Sequence, residues 1–449
     1  MTAPGRVHIV GAGVAGLAAA VTLAAGGYRV SLYEASQHAG GRCRSFFDPE
    51  LGCRIDNGNH LLLAANTAAL AYIKRIGALD TFQRPEAAEI PFIDVATGER
   101  WALRLNRSPL PWWLFDPSRR VPGTRLGDYL EALALRRAPA AATIAQVLDP
   151  RTPLFKRLWH PLAVAALNTG VEDGSARLFW RVLVETLGRG GAACRALVPH
   201  TGLSESLVDP ALALLKRQGA EIRLGTRLRR MELASERVVE LAFDEKSIAL
   251  TNYDSVILAV PPSVAGRLVP GLVVPDDYAP IVNAHFRYGA PSEAPPFAGL
   301  VGGTAEWIFK KPEVVSVTVS AADWLIDEPA AALASRLWRD VAAAYRIAAE
   351  PAPPARIVKE RRATFRATPA QLERRPDAAT RWNNLHLAGD YVDTGLPATI
   401  EGAIRSGLAA AAWAGRDRKP SAAVNAAVNS VTSQTEIPET TEDRQRALP

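Results

Sequence analysis

The sequence predicts an α/β fold, α+β over the whole chain, in which both ends of the chain build one nucleotide-binding domain. Two observations support this prediction: a complete βαβ pattern over residues 6–34, and a strand, a glycine-rich turn and a helix over residues 385–407. The chain has 449 residues, which is enough for two to three domains. The residues between the two patterns are therefore expected to contain a second, inserted domain.

The βαβ pattern begins with an apolar strand, RVHIV, that leads into a G-x-G-x-x-G turn. Gly11, Gly13 and Gly16 allow a tight turn and the close approach of a pyrophosphate to the N-terminus of the following helix. A second strand, YRVSLYE, ends at Glu34, where a carboxylate can accept hydrogen bonds from a ribose. An acid at this position favours NAD or FAD over NADP.

Gly40, Gly41 and Arg42 follow soon after Glu34, and NAD binding does not need them. This E…GGR pattern resembles the second signature of the flavin amine oxidase and phytoene desaturase superfamily. The resemblance implies FAD as the cofactor, with the two glycines close to it and the arginine near its phosphates. It also implies a Rossmann-like FAD-binding domain of the glutathione-reductase and amine-oxidase type, with an inserted substrate-binding domain.

The stretch GDYVDTGLPATIEGAIRSG, residues 389–407, resembles the C-terminal flavin signature of the same superfamily. The resemblance implies that Gly389 lets the backbone approach FAD and that Asp390 hydrogen-bonds its ribityl or pyrophosphate region. Gly395, Pro397 and Thr399 mark the start of a helix, and Thr399 and Ile400 are expected to bind the cofactor. We expect the positive end of this helix to face the flavin ring and to favour its reduced, anionic form.

These signatures, together with the superfamily's layout, divide the chain into two domains and a tail. The predicted segments are 1–85, 196–265 and 380–416 for the FAD-binding domain, 86–195 and 266–379 for the substrate-binding domain, and 417–449 for a disordered tail. GRGGAA (188–193) and GLVGGTAE (299–306) lack the spacing of a second nucleotide site. The electron donor or acceptor is therefore left open: substrate, a carrier or another protein.

The stretch GCRIDNGNHLLLAANT, residues 52–67, matches the superfamily strand whose end lies near the flavin ring. Its polar residues Asp56, Asn57, Asn59 and His60 stand beside an apolar run, as suits a hydrocarbon-like substrate with one reactive position. His60 is the first candidate for the acid that protonates a leaving hydroxyl, because an ordinary histidine pKa of about 6.5 lies near working pH. We expect Asp56 to orient the imidazole and keep it cationic. Asp393 is the alternative acid, and a purely structural His60 is also possible.

The sequences DNGNHLLLAANT and DTGLPATIEGAIRSG resemble those of one branch of the superfamily. This branch is the squalene-associated FAD-dependent desaturases, or hydroxysqualene dehydroxylases of hopanoid synthesis. The resemblance implies an isoprenoid hydrocarbon substrate and the reductive removal of the hydroxyl of hydroxysqualene to give squalene. Another FAD-dependent desaturase or an amine oxidase is the alternative enzyme. A prenyl-lipid escort protein is the alternative without catalysis, and the complete set of FAD motifs argues against it.

Composition limits the other partners. The formal net charge of +6 is a mild excess, so no nucleic-acid partner is expected. Cys43, Cys53 and Cys194 are too few and too scattered for a disulfide framework or a metal site, and no metal is expected.

One stretch suggests contact with a membrane. Neither a signal-peptide pattern nor an apolar run of the ~20 residues that span a bilayer is present in the sequence. RLNRSPLPWWLFDPSRR, residues 104–120, places Trp112, Trp113, Leu114 and Phe115 between arginines, which is typical of an interfacial anchor or, equally, of a core or pocket lining. The expected location is the cytoplasm, at the inner face of the cytoplasmic membrane.

Overall fold

The computed structural model describes residues 5–416, and the predicted tail at 417–449 lies outside the described residues. This part of the chain forms a five-stranded parallel sheet, a seven-stranded mixed sheet, three smaller sheets and the helices that cover them. The predicted α/β fold class, α+β overall, is confirmed.

The elements are numbered in chain order. The strands are β1 Arg6–Val10, β2 Arg29–Tyr33, β3 Ser45–Asp48, β4 Cys53–Asp56, β5 Leu62–Leu63, β6 Phe82–Gln83, β7 Glu89–Asp94, β8 Arg100–Arg104, β9 Ala196–Pro199, β10 Glu221–Arg223, β11 Leu228–Ala234, β12 Arg237–Phe243, β13 Ser247–Ala249, β14 Ser255–Leu258, β15 Tyr278–Phe286, β16 Phe297–Val301, β17 Trp307–Lys310, β18 Val315–Val319, β19 Ala355–Phe365 and β20 Leu385–Leu387. The α-helices are α1 Val14–Ala25, α2 Thr67–Arg75, α3 Ile144–Val147, α4 His160–Leu167, α5 Ala176–Glu185, α6 Gly191–Cys194, α7 Asp209–Arg217, α8 Pro262–Leu268, α9 Ala330–Tyr345, α10 Pro369–Leu372 and α11 Ile400–Arg416. Other helical segments are Leu79–Thr81, Trp112–Phe115, Pro117–Arg119, Leu126–Arg137, Phe155–Trp159, Leu187–Arg189, Ser204–Val208 and Ala322–Trp324.

The parallel sheet unites the two ends of the chain. Its strand order is β10-β2-β1-β14-β20, and all four pairings are parallel. Helix α11 packs closely on α1. A Cβ on Gly407 would lie 2.1 Å from the carbonyl oxygen of Ala15, so only glycine allows this approach. Every strand of this sheet comes from a segment predicted for the FAD-binding domain; the domain boundaries themselves stay a prediction.

The seven-stranded sheet has the order β19-β15-β18-β17-β16-β7-β8, and only the β16–β7 pairing is parallel. One face packs on α9, where Leu337 and Trp338 join a core with Val317 of β18. Side chains of the opposite face, among them Phe92, join the core that also includes Phe179 of α5. The inserted part is therefore a sheet with covering helices.

The predicted active-site stretch contains β4. It lies between the part of the fold built on the parallel sheet and the part built on the seven-stranded sheet. Strand β4 pairs with β3 as a hairpin, with Ser45 opposite Asp56. Directly after β4, the N–H of Asn57 still donates to Arg44 at 2.9 Å, whereas the side chain of Asn59 donates to Thr318 of the large sheet at 3.1 Å. The residues after β4 thus lie where the two parts meet.

Candidate active site

The glycine turn after β1 is crowded by backbone atoms at Gly11 and Gly16 and is open at Gly13. Gly11 has φ +106°, and a Cβ there would lie 2.1 Å from the carbonyl oxygen of Ala259. A Cβ on Gly16 would lie 2.0 Å from the carbonyl oxygen of Gly11. A Cβ on Gly13, by contrast, would meet no atom within 4 Å, so open space lies in front of the N-terminus of α1. This cradle fits a pyrophosphate group.

Glu34 directly follows β2 and stabilises this turn through two hydrogen bonds. One carboxylate oxygen, Oε2, accepts the N–H of Ala12 at 2.8 Å, and Oε1 accepts the N–H of Ser36 at 2.9 Å. Each oxygen keeps a further lone pair, so the site still fits a ribose hydroxyl. The ribose contact itself stays a prediction.

The second signature lies against the first. Gly40 forms a bridge with Gly13 and donates its N–H to Ala12 at 2.8 Å. Gly40 and Gly41 have φ of +104° and +58°, backbone that glycine adopts without strain. The structure therefore brings the two predicted glycine motifs together at one cradle.

Arg42 binds the acid of the C-terminal signature. Its Nη2 lies 2.7 Å from Oδ1 of Asp390, and its Nη1 donates to the carbonyl oxygen of Ala363. The nearby carboxylate of Asp390 raises the pKa of Arg42 above its ordinary value, against the opposing effect of burial. The arginine side chain keeps 42% of its surface exposed and can still donate to a phosphate. That second contact stays a prediction.

The C-terminal signature has the predicted turn and helix start. Gly389 has φ +148°, and its N–H donates to the Ser406 hydroxyl at 2.8 Å. Helix α11 begins at Ile400, and the Thr399 hydroxyl caps it by accepting the N–H of Gly402 at 3.1 Å. The orientation of this helix toward a flavin ring stays a prediction.

The ion pair and the hydrogen bonds of Asp56 go to other groups than His60. The buried carboxylate forms an ion pair with Lys311 and accepts bonds from the Ser45 hydroxyl at 2.6 Å and the Leu203 N–H at 2.9 Å. These three partners hold it within the fold. These contacts do not include His60, although the charge of Asp56 acts on the imidazole in the expected direction, and the positioning role stays a prediction.

The charge expected on His60 is wrong. Burial lowers the pKa of His60 to about 4, and Arg42 and Lys311 lower it further, while Asp56 offsets only part of the effect. The imidazole is then neutral at neutral pH. A neutral imidazole can donate a hydrogen bond, but it is a poor source of a full proton.

Asn59 belongs to a directed chain of hydrogen bonds that sequence reasoning missed. Its amide N–H donates to the Thr318 hydroxyl at 3.1 Å, which donates to Oδ1 of Asn283 at 2.7 Å. Asn283 in turn donates to the backbone carbonyl of Asn57 at 3.4 Å. A backbone carbonyl only accepts, so it fixes the direction of the whole chain. Thr318 and Asn283 sit in apolar strand patterns that gave no signal for this role.

The alternative acid, Asp393, lies apart from this chain. Its side chain is 54% exposed, with Arg375 at 3.5 Å, and it accepts the N–H of Gly395 at 2.9 Å. It serves the turn before α11.

Sequence reasoning also missed a second carboxylate, Glu306. It precedes β17, and its Oε2 accepts the N–H of Ser320 at 2.8 Å. Burial raises the pKa of Glu306 to about 7. The segment GLVGGTAE that contains it has no sequence pattern that indicates an acid site.

Comparison with known proteins agrees with this geometry. The profile of the family described as flavin containing amine oxidoreductase matches residues 14–413. A hydroxysqualene dehydroxylase of Rhodopseudomonas palustris is 49% identical, over 90% of this chain and 97% of that protein. The chain belongs to the hydroxysqualene dehydroxylase family. A second member, from Sinorhizobium fredii, is 48% identical over 91% of this chain and 98% of its own.

Among solved structures, the cyclohexylamine oxidase of Brevibacterium oxydans superposes with a TM-score of 0.64 at 16% identity, covering 92% of this chain and 99% of that one. At this identity the likeness shows the fold alone. Family membership confirms the predicted FAD cofactor and the oxidoreductase class. Within residues 5–416, every helix is too short or too polar to cross a bilayer.

Proposed function

We propose that this chain removes the hydroxyl group of hydroxysqualene reductively and releases squalene, a step of hopanoid or triterpenoid synthesis. One observation carries the proposal: the 49% identity to a hydroxysqualene dehydroxylase extends over 97% of that protein. Reduced FAD, when bound, supplies the hydride that replaces the hydroxyl. The identity of the electron donor that reduces it is left open.

The chain's own residues provide for both cofactor and substrate. The cradle at Gly13, the carboxylate of Glu34 and the pair of Arg42 with Asp390 would hold FAD. Beside them, the large sheet contributes aromatic side chains to a continuous apolar core, namely Phe92, Trp101, Phe297, Trp307 and Phe309. These side chains are buried in that core and would exclude water from a hydrocarbon held against it.

The direct test is a single turnover without oxygen. The holoenzyme is reduced, mixed with hydroxysqualene, and the products are extracted and identified while the flavin spectrum is followed. We expect squalene and re-oxidised flavin in equal amounts. Oxidised enzyme with squalene is the parallel sample: desaturated products there, with no squalene from the first sample, would identify a desaturase instead. A preparation that never takes up FAD would favour an escort protein.

We also propose that the protein docks on the anionic inner face of the cytoplasmic membrane. Support comes from an exposed apolar surface, here called the leucine-tryptophan surface and formed by Leu110, Trp112, Phe115, Leu130 and Leu133. Its two segments are neighbours, because the ring of Trp113 contacts Tyr129 edge-on at 5.4 Å. Trp113 is only 7% exposed and belongs to the core, which is the other role expected for this stretch, so the proposed surface does not include it.

The charges around the leucine-tryptophan surface favour an anionic lipid partner. Residues 106–137 contain six arginines and three acidic side chains. The arginines are Arg107, Arg119, Arg120, Arg125, Arg136 and Arg137. Exposed apolar side chains bordered by arginine match the requirements of an interfacial surface, with apolar groups at headgroup depth and cations on lipid phosphate. A substrate dissolved in the bilayer would then reach the enzyme without crossing water.

A further inference from the structure

We propose that a cavity between the end of α5 and the start of α11 binds one terminal isoprenyl unit of the substrate. This inference rests on the proposed function and adds a binding subsite to it. The cavity is here called the α5 cavity. Its apolar wall comes from Ala65 before α2, Ala166 of α4, Val182 of α5, and Leu396 and Pro397 before α11.

The α5 cavity lies where the C-terminal flavin signature meets the inserted part of the chain. Leu396 and Pro397 belong to the stretch GDYVDTGLPATIEGAIRSG, and Ala65 belongs to GCRIDNGNHLLLAANT. Ala166 and Val182 belong to helices of the segment predicted for the substrate-binding domain. Both predicted site stretches and the predicted substrate domain therefore contribute to one cavity.

The α5 cavity is separate from the glycine cradle. Glu401 and Arg405 of its wall are one helical turn apart on α11. Glu401 accepts the N–H groups of Ala68 and Ala69 in α2 at 3.2 and 2.8 Å. Gly407 lies on a different face of α11, the one that packs on α1. A ligand in the α5 cavity would thus lie on another side of α11 from the pyrophosphate cradle.

The charged side chains of the wall are paired with each other. The Nε of Arg405 lies 2.7 Å from Oε1 of Glu401. Its Nη2 lies 3.6 Å from Oε2 of Glu185, which also forms an ion pair with Arg189 at 2.7 Å. A ligand in the cavity does not have to neutralise these groups, and the remaining wall is mostly apolar. The α5 cavity therefore suits a hydrocarbon group.

The volume of the α5 cavity matches one isoprenyl unit. The cavity measures about 70 Å³. Because a water-sized group needs about 10–15 Å³ of such space, roughly five groups of this size fit. A methyl or methylene group is about as large as a water molecule, so an isoprenyl unit with its five carbons is of the right size. A thirty-carbon chain is far larger, and only one end of it can enter.

The α5 cavity is also close to the leucine-tryptophan surface. Shortly after α5, the N–H of Gly191 donates to the carbonyl oxygen of Asn106 at 2.8 Å. The side chain of Asn106 accepts the N–H of Trp113 at 3.0 Å and donates to the carbonyl oxygen of Leu110 at 2.8 Å. Helix α5 itself packs on the other segment of this surface, 126–137. One helix thus borders both the cavity and the proposed lipid-facing surface.

The solvent-facing side of α5 extends the leucine-tryptophan surface. Arg177, Arg181 and Val184 are exposed at helical spacing. Neither arginine has an ion-pair partner within residues 5–416. Arg181 lies against the turn before α11, because a Cβ on Gly395 would be 3.4 Å from its Nη2. Free arginines beside an exposed valine suit lipid phosphates. An isoprenoid chain that leaves the lipid beside α5 then has a short way to the α5 cavity.

The test fills the α5 cavity and shortens the substrate. Ala166→Leu adds bulk at the wall, and the matched control is Ala165→Leu, which changes an exposed alanine of the same helix. Each reduced holoenzyme is mixed without oxygen with rising concentrations of hydroxysqualene or of two analogues, each lacking the terminal isoprenyl unit at one end. Flavin re-oxidation then gives an apparent Kd and a maximal rate for each ligand.

We expect wild type to bind one of the two analogues ~10–100-fold more weakly than hydroxysqualene, because the α5 cavity is then unfilled. Ala166→Leu should bind hydroxysqualene more weakly by a similar factor and should no longer distinguish it from that analogue. Its maximal rate should stay within about threefold of wild type, because the subsite contributes binding and not chemistry. FAD affinity should be unchanged, and Ala165→Leu should match wild type throughout.

Three results overturn the inference and leave the proposed function standing. They are wild-type affinity of Ala166→Leu for hydroxysqualene, an equal loss of affinity for hydroxysqualene and both analogues, and wild-type enzyme that binds both analogues as tightly as hydroxysqualene. Loss of FAD by a folded Ala166→Leu enzyme overturns it as well, because the cavity would then belong to the cofactor site. Should Ala166→Leu not fold, Val182→Phe fills the cavity from α5, and the same comparison decides. A wild-type enzyme that makes no squalene ends both.

Discussion

Arg42 and Asp390 stand 348 residues apart in the sequence, yet their side chains meet at 2.7 Å. The pair connects the signature near the start of the chain with the one near its end. Asp390 is largely buried, with 9% of its side chain exposed, so it depends on this partner more than a surface acid would.

Replacing Asp390 with Ala should weaken FAD binding by ~1–3 kcal/mol, because Arg42 loses its carboxylate and turns away from the cradle. FAD dissociation constants from fluorescence titration measure the effect. The exposed pair of Arg361 with Asp327 offers the control, and Asp327→Ala should leave FAD affinity as it is. Equal affinity in both variants would show that the Arg42 contact has no part in cofactor binding.

FAD should be held without a covalent bond. The cysteines Cys43, Cys53 and Cys194 all lie outside the C-terminal signature, and the histidine before it, His386, is buried in β20. Acid precipitation should therefore release all the yellow chromophore into the supernatant. Colour in the pellet would contradict this.

Membrane docking should depend on Trp112 and Phe115 and not on tryptophan in general. The double change of Trp112 and Phe115 to Ser should move the protein from the pellet to the supernatant in sedimentation with phosphatidylglycerol vesicles, with FAD retained. Trp324 is the matched control, because both it and Trp112 are 60% exposed. Loss of binding in Trp324→Ser as well, or unchanged pelleting of the double variant, would count against the leucine-tryptophan surface.

His60 should affect acid stability more than the chemical step. Its pKa in the folded protein, about 4, lies below the ordinary value of 6.5, so between these values the unfolded chain binds the extra proton more readily. Stability is therefore lost as pH falls below about 6.5. His60→Gln should flatten the fall of Tm between pH 7 and pH 5, and at pH 7 it should keep its turnover within about tenfold of wild type. A turnover loss of ~10²–10⁴-fold at pH 7 would restore His60 as the acid.

Glu306 should produce the opposite pH trend. Its folded pKa, about 7, lies above the ordinary 4.5, so the folded protein holds the proton that the unfolded chain releases. Its contribution to stability is present below about pH 4.5 and is lost as pH rises through about 7. Glu306→Gln should therefore gain Tm relative to wild type at pH 8 and not at pH 5. Parallel thermal denaturation curves at the two pH values would contradict the raised pKa.

Local patterns predicted the cradle because a glycine turn depends on neighbours in sequence. Gly16 is crowded by the carbonyl oxygen of Gly11 in its own βαβ unit, and the G-x-G-x-x-G spacing already encodes that contact. Gly11 is crowded by Ala259, just after β14, and no local pattern predicts that contact. The helix start at Ile400 was predictable from local sequence, since its cap lies one residue away.

Features that depend on distant segments could not be predicted. Trp112 and Trp113 are adjacent and chemically identical, yet Trp113 is buried against Tyr129 and other core residues while Trp112 is exposed. Glu306 follows two glycines and a threonine, a composition typical of a solvated loop. The residue that binds its carboxylate, Ser320, lies just after β18, and no pattern around residue 306 indicates that neighbour.

The contact of Gly407 with Ala15 has a consequence for biosynthesis. The ribosome makes β1 and α1 among the first elements of the chain, but the edge strand β20 and the helix that covers α1 are among the last that the structure describes. Until these elements have been made, the parallel sheet lacks its edge strand β20, and the alanine-rich helix α1 is not covered by α11. We therefore expect flavin to bind stably only after α11 has been made, because Asp390 and the start of α11 belong to the proposed cofactor site.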